Sequence, residues 1–455
     1  MIGVEVQQPS QRTLLTRVAA ASLLGTTLEW FDFFVFSSSA ALVFNKLFFP
    51  ELSPLLGTAA AFGTFATGFL TRPIGSIIFG HLGDRIGRKA TLISTISLMG
   101  AGTFAVGLLP TYATIGIWAP LLLVLVRLIQ GLGLGGEWGG AILLCVEHAP
   151  RDRRGLFSSF PQLGVPLGVI ASALLFAAVT SLPGGQFLAW GWRLPFLLSI
   201  LLLGVGMFVR LKILETPAFA KVKQEHAEAH VPILELIRSA PKHVALAVGT
   251  RFSESATSNI FLFFIIAYLT KNVHLSNIHA IEGQIIASVA CLFSIPAAGA
   301  LSDRYGRRPV FLAGTLFTIL FAFPAFALMN TGIPALAWLA VTIGLAVGWG
   351  LMYGTQGAFY SELFPVRLRY SAIGFVYAVG ALPTGAIAAA TATLLLAWSH
   401  GQSWPISMYL IGIALISSIS VLLLPETHRS EDIHKAFVHT PATSTAAAIK
   451  PAQNI

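Results

Sequence analysis

Seven ionisable side chains fall inside long apolar stretches of this 455-residue chain: Glu29 and Asp32, Arg72, Arg127 and Glu137, and Arg251 and Glu254. If those stretches cross a bilayer, each charge near a helix centre costs roughly 2.5–3.5 kcal/mol on insertion scales, so each needs a reason. Glu29 and Asp32 are three apart on one helical face and repel when both are ionised. A carboxyl that exchanges a proton at working pH is what a proton-coupled carrier needs, and Glu137 joins these two as a third candidate. The same carboxylates serve equally well to pair with Arg127 and pin two helices together. Arg127 carries a planar fork suited to a substrate carboxylate and a charge that is never lost; its alternative is a permanent pair with Glu29 or Glu137. Arg251 and Glu254, also three apart, either hold a substrate or neutralise each other. Asn259, Tyr353, Gln356 and Tyr377 orient a ligand or simply join helices by hydrogen bonding. No histidine falls near the centre of an apolar run, so carboxylates rather than imidazoles would carry a proton.

The elements that must position these residues are membrane helices. Apolar residues make up 55% of the chain and charged residues 10%, where a soluble domain carries about 25% charged. A mean hydropathy of +0.78 points the same way. Twelve apolar runs, near 18–48, 55–82, 89–109, 117–148, 154–180, 190–211, 242–270, 277–302, 308–330, 334–364, 367–398 and 404–424, are each long enough to cross ~30 Å of hydrocarbon. The first is too long for a signal-peptide core and reads as an uncleaved span. Counted at 1.5 Å per residue, Glu29, Arg127, Arg251 and Glu254 all lie ~14–18 Å deep, in one layer near the midplane.

A net charge of +9 suggests nucleic acid at first sight, but the basic residues stand in short turns between apolar runs. With the N-terminus inside, 22 of the 28 Lys and Arg residues fall on the cytoplasmic side and three on the other, a strong inside-positive bias. Both termini are therefore expected in the cytoplasm of a plasma membrane, the inner membrane of a bacterium. Cys145 and Cys291 lie within apolar runs, which implies neither a disulfide framework nor a metal site, and no cofactor is expected.

The chain repeats itself. Gly80–Lys89, reading GHLGDRIGRK, is echoed by Gly299–Arg308, GALSDRYGRR, with Asp84 and Asp303 219 residues apart. Glu147 and Glu362 recur at 215, and Glu215-Thr216 and Glu426-Thr427 at 211. Landmarks in one order and spacing mean two copies of one unit. The expected organisation is a cytoplasmic segment 1–17, a six-helix bundle 18–211, a cytoplasmic linker 212–241, a second bundle 242–427 and a cytoplasmic tail 428–455.

Two six-span halves, a DRxGR turn between spans two and three of each, and a long central loop resemble the major facilitator superfamily. Leu28-Glu-Trp-Phe-Asp-Phe33, Arg72-Pro-Ile-Gly75 and Arg127-Leu-Ile-Gln-Gly131, running on to Gly135-Gly-Glu-Trp-Gly-Gly140, are similar to its metabolite:proton symporters. Members of that group move shikimate, 2-oxoglutarate, citrate, aromatic acids, or zwitterions such as proline and betaine. Where they often have Tyr-Gly after the Asp, this chain has Phe36-Ser37. The resemblance implies an all-α fold of twelve helices, a midplane substrate site between the halves and alternating access. It further implies that Asp84, Arg85 and Arg88, with Asp303, Arg304 and Arg307, latch the cytoplasmic side, with Glu147 and Glu362 as partners for the arginines. The alternative is that the arginines only anchor topology; Asp adds nothing to that rule, so its presence in both copies favours the latch.

Gly131-Leu-Gly-Leu-Gly-Gly136 matches GxGxxG, but a dinucleotide fingerprint needs a preceding strand. Pairs four apart, Gly131/Gly135 and Gly136/Gly140, are what close-packed membrane helices want. The expected function is proton-coupled symport of a small organic acid through Arg127, Arg251, Glu254, Tyr353 and Gln356, by a chain acting as a monomer. The rivals are a zwitterion carrier or an exporter of hydrophobic compounds on the same fold, and a membrane nutrient sensor. A membrane enzyme is disfavoured, since no nucleophile elbow, metal set or phosphate loop is present.

Overall fold

The computed structural model describes residues 11–183, 185–212, 215–225, 229 and 231–428, so most of the two expected terminal segments lies outside them. Among the described residues there is no strand. Ten helical segments among the described residues are long and apolar enough to cross a membrane: Thr13–Leu47, Arg88–Leu108, Trp118–His148, Arg151–Thr180, Gly191–Leu211, Pro241–Lys271, Asn277–Tyr305, Arg307–Met329, Pro334–Leu363 and Trp404–Leu423. Two further passes complete the twelve expected from sequence. Span two is the 32-residue helix Pro54–Arg85, and span eleven is broken into Arg369–Gly380 and Ala386–Trp398.

Two boundaries differ from expectation. The first helix begins at Gln11, inside the expected N-terminal segment. The central linker also carries two short helices, Pro217–Gln224 and Pro232–Ser239. They fold because they are amphipathic and tied down. The Thr216 hydroxyl accepts from the Phe219 amide, capping the first helix, and Phe219 is buried beneath the Arg88 guanidinium, 4.4 Å from its ring. Leu236 of the second helix is fully buried with Val146, Phe364 and Tyr370.

The halves repeat contact by contact. At each DRxGR turn the glycine takes a left-handed backbone, φ 129° at Gly87 and 102° at Gly306, which a Cβ would strain. The next two amides start span three or span nine, and one carboxylate takes both. Glu215 accepts from Arg88 and Lys89 at 3.1 and 3.2 Å; Glu426 accepts from Arg307 and Arg308 at 2.9 and 3.0 Å. A carboxylate on unsatisfied N-terminal amides also meets the positive end of the helix dipole.

Glycines set the spacing of spans two and four. A Cβ on Gly131 would meet the Gly68 carbonyl, and one on Gly135 would meet the Arg72 carbonyl. The GxGxxG stretch therefore lies inside one continuous helix and serves close backbone approach. Spans one and seven each carry a π-helical turn at matching places, Ala40–Phe44 and Ile260–Phe264, and span ten has another at Gly344–Trp349. Such turns are frequent at functional sites, and the latter two bring Leu262, Phe263 and Trp349 to the central cavity.

Candidate functional site

Buried charges in apolar helices must find partners or hold something that supplies one. Three pairs form. Asp32 and Arg127 meet at 3.0 Å, both buried. The Asp32 carboxylate also accepts from Thr103 at 2.7 Å and Gln130 at 2.9 Å, while the Arg127 guanidinium sits 4.5 Å over Phe36 and 5.1 Å over Phe65. Glu137 pairs with Arg210, accepts from Thr95 at 2.7 Å, and Arg210 donates on to the Leu92 carbonyl at 2.8 Å. Arg251 pairs with Glu254, which also accepts from the Trp349 indole at 2.6 Å.

Two charges are left over. Arg72 is 7% exposed and makes no ion pair among the described residues; its guanidinium lies 4.5 Å over Phe69 and 5.4 Å over Phe33, and its Nε–H has no partner. Glu29 is 1% exposed with an unpartnered Oε2.

Arg72 opens onto a central cavity that both halves line. Spans one and two supply Trp30, Phe33 and Phe69; spans seven, ten and eleven supply Asn259, Tyr353 and Tyr377. Arg251 and Glu254 are the other charged residues of the lining. Towards the face bearing the DRxGR turns, Tyr377 is sandwiched between Trp138, ring centroids 3.9 Å apart, and the Arg251 guanidinium at 4.0 Å. On that side Gln162 donates to the Tyr353 carbonyl and Gln356 donates to Gln162 at 3.3 Å. Towards the opposite face, Phe34 of span one stacks on Phe263 of span seven at 5.2 Å. Closed by side chains from both directions, the cavity keeps a free volume of about 20 Å³, the scale of a single water. A metabolite needs one side to part.

The face bearing the DRxGR turns is shut by backbone-to-carboxylate contacts between the halves. Asp84 accepts from the Tyr370 and Ser371 amides at 3.2 and 2.9 Å, at the start of span eleven. Asp303 accepts from the Gly155 and Leu156 amides at 2.7 and 2.8 Å, at the start of span five. Arg88 lies 3.4 Å from Asp84 and 3.5 Å from Glu147; Arg307 lies 2.7 Å from Asp303 and 3.0 Å from Glu362. Arg369 reaches Glu147 across the halves at 3.4 Å. A Cβ on Gly80 would come within 2.8 Å of the Ser371 Cα, so the two backbones touch there.

The sequence-expected residues thus divide. Arg251, Glu254 and Tyr353 line the cavity, with Asn259 and Tyr377. Arg127, Glu137 and Gln356 do not. Asp32 holds Arg127 inside its own half, Arg210 holds Glu137, and Gln356 belongs to the floor beneath Tyr353. Arg85 and Arg304 stand exposed, away from the inter-half contacts made by Asp84 and Asp303. The charge that sequence reasoning placed without a role is Arg72. The signal that finds it is charge arithmetic: once three pairs are matched, Glu29 and Arg72 remain.

Arg210→Ala tests the middle pair. It strands the Glu137 carboxylate in a dry interior, and breaking one side of a buried pair costs roughly 3–5 kcal/mol. The expected result is a lowered Tm or loss of monodisperse protein, partly rescued by Glu137→Gln, which removes the orphaned charge. A single variant as stable as the parent would show the pair to be dispensable.

The family profile described as "Sugar (and other) transporter" matches residues 18–242, and the "Major Facilitator Superfamily" profile matches 246–452. The chain is 39% identical to the inner membrane metabolite transport protein YhjE of Escherichia coli, over 91% of this chain and 95% of that one. It is 38% identical to the Escherichia coli shikimate transporter, with 91% and 95% covered. It is 35% identical to a proline/betaine transporter of Salmonella typhimurium, with 91% and 84% covered. Among solved structures, the proton:xylose symporter XylE bound to 6-bromo-6-deoxy-D-glucose superposes with a TM-score of 0.74 at 19% identity, covering 92% of this chain and 97% of that one.

Proposed function

Since the chain belongs to the major facilitator superfamily of membrane transporters, we propose that it is a proton-coupled symporter of a small organic acid, working by alternating access. The face bearing the DRxGR turns is cytoplasmic, as are both termini, in the inner membrane of a bacterium. The single observation that carries the coupling is the two charges left over: Glu29 on span one, buried with an unpartnered oxygen, and Arg72 on span two, buried without a counter-ion at the cavity wall.

The cycle follows from that pair. With the outer side open, Glu29 takes a proton and ceases to compensate Arg72. The freed guanidinium then binds the substrate carboxylate, and a site in which every charge is matched can close against lipid and protein. The contacts of Asp84 and Asp303 give way, the inner side opens, and substrate and proton leave together. Arg251 and Glu254 neutralise each other and shape the wall. Asp32 and Arg127 hold spans one and four, so that Glu29 is presented from a fixed helix.

Uptake into vesicles holding the purified chain, with an inward proton gradient, tests the proposal. An acid from a panel of shikimate, 2-oxoglutarate, citrate and benzoate is expected to accumulate, and a protonophore to collapse the accumulation. Uptake indifferent to the gradient would remove the proton from the mechanism; accumulation of betaine instead would replace the acid by a zwitterion.

A further inference from the structure

Resting on the organic-acid reading, we infer that the central site selects a monocarboxylate carried on a flat, apolar ring, over dicarboxylates and zwitterions. The fixed charges of the lining set the number of carboxylates. Arg72, Arg251 and Glu254 are the charged residues of the cavity wall. Glu254 cancels Arg251 by direct pairing. One positive charge is left, at Arg72, and it matches one carboxylate. A second carboxylate would face Glu254 with no cation to spare, in an interior where an unmatched charge is far more costly than in water.

Unpartnered donors set the polarity of that end. Most lining atoms buried without hydrogen-bond partners are donors: the Nε–H groups of Arg72 and Arg251 and the Trp30 Nε1–H, with the Tyr353 hydroxyl able to donate and Glu254 Oε2, held against Arg251, the acceptor among them. Donors left without acceptors call for a ligand group that only accepts, which is a carboxylate. Cation–π contacts with Phe33 and Phe69 hold the guanidinium, whose planar fork suits a carboxylate.

The remaining wall sets the body. Most of it is aromatic rings of both halves, Trp30, Phe263, Trp349 and Tyr353 among them, with Val165 and Leu262, and Ser255, Ser258 and Asn259 of span seven add a narrow polar strip. Trp349 and Tyr353 already stack on each other at 4.5 Å, and a further flat ring extends such a stack. A quaternary ammonium is also drawn to aromatic faces. Here, however, guanidinium groups already cover Phe33, Phe69 and Tyr377, and a second cation beside Arg72 and Arg251 is repelled.

Binding to the purified full-length chain without a gradient tests this by tryptophan fluorescence, since Trp30 and Trp349 line the site. The probes are benzoate, its neutral counterpart benzamide, phthalate with two carboxylates, and glycine betaine. Benzoate is expected to bind at least tenfold more tightly than the other three. Arg72→Gln is expected to weaken benzoate at least tenfold, and Arg72→Lys less, since it keeps the charge and loses the fork. Any comparator binding within tenfold of benzoate overturns the inference, as does Arg72→Gln binding within tenfold of the parent. The wild-type panel stands even if a variant fails to fold. Because no gradient is applied, loss of coupled uptake would sink the symport reading and leave this one standing, and the reverse holds too.

Discussion

Glu29→Gln is expected to abolish gradient-driven accumulation while leaving exchange of labelled for unlabelled substrate intact. Glutamine has the shape of a protonated glutamate and cannot lose the proton. Arg72 is then always free to bind substrate, and binding no longer depends on pH. Carrying one proton with one monoanion moves no net charge, so the driving force is the pH difference alone. One pH unit is worth about 1.4 kcal/mol, or a tenfold accumulation ratio, and in the variant that ratio should fall to one. Membrane potential imposed without a pH difference should not drive the parent, whereas the variant, carrying the anion without its proton, moves one negative charge per turnover and becomes sensitive to it. Persistent tenfold accumulation by Glu29→Gln would place the proton elsewhere.

Asp32 is the obvious elsewhere, and the structure separates the two carboxylates. Asp32 accepts from Arg127, Gln130 and Thr103, so its charge is already matched. Asp32→Asn leaves Arg127 without a counter-ion, and the consequence should be lost protein rather than lost coupling. A carboxylate that is free to change its charge is one whose partner has another use. Glu29 stands in that position, because Arg72 lines the cavity and makes no ion pair among the described residues.

The sequence made depth legible and azimuth illegible. Counting residues from the ends of apolar runs put Glu29, Arg127, Arg251 and Glu254 in one layer, and Arg251 and Glu254 do line the cavity. Which charge faces which depends on how each helix is rotated and tilted, and a rise per residue says nothing about that. Arg127 was therefore open to Glu29, Asp32 or Glu137, and the partner is Asp32. Arg210 counted as a basic residue of the cytoplasmic side, yet it turns inward to Glu137 and is 2% exposed. A snorkelling arginine and a buried one look alike in sequence. The repeat was far more legible, because duplicated geometry leaves duplicated residues. Glu215 and Glu426 were visible only as landmarks 211 apart, and each turns out to hold two amides of the helix after its own DRxGR turn.

Asp84→Asn and Asp303→Asn should each slow uptake by about tenfold, on the argument that the two carboxylates stabilise the state in which the cytoplasmic side is shut. Each bridges the halves by accepting two amides at a helix start, where a negative charge gains ~1–2 kcal/mol from the dipole and the unsatisfied N–H groups. Asparagine keeps one acceptor and loses the charge. The equilibrium then moves towards the inward-open form by roughly that amount, about a factor of ten, and the outward form that loads substrate becomes scarce. Arg85 and Arg304 flank the same aspartates but stand exposed, so Arg85→Gln should leave the rate within twofold and serves as the control for a purely topological role. Hydrogen exchange locates the effect: the Tyr370 and Ser371 amides should exchange faster in Asp84→Asn, and the Gly155 and Leu156 amides in Asp303→Asn. The two sites join different helices and share no partner, so their effects on the equilibrium should add in the double variant. Unchanged uptake in both single variants, with those amides exposed, would mean that the contacts pack the closed face without governing how often it opens.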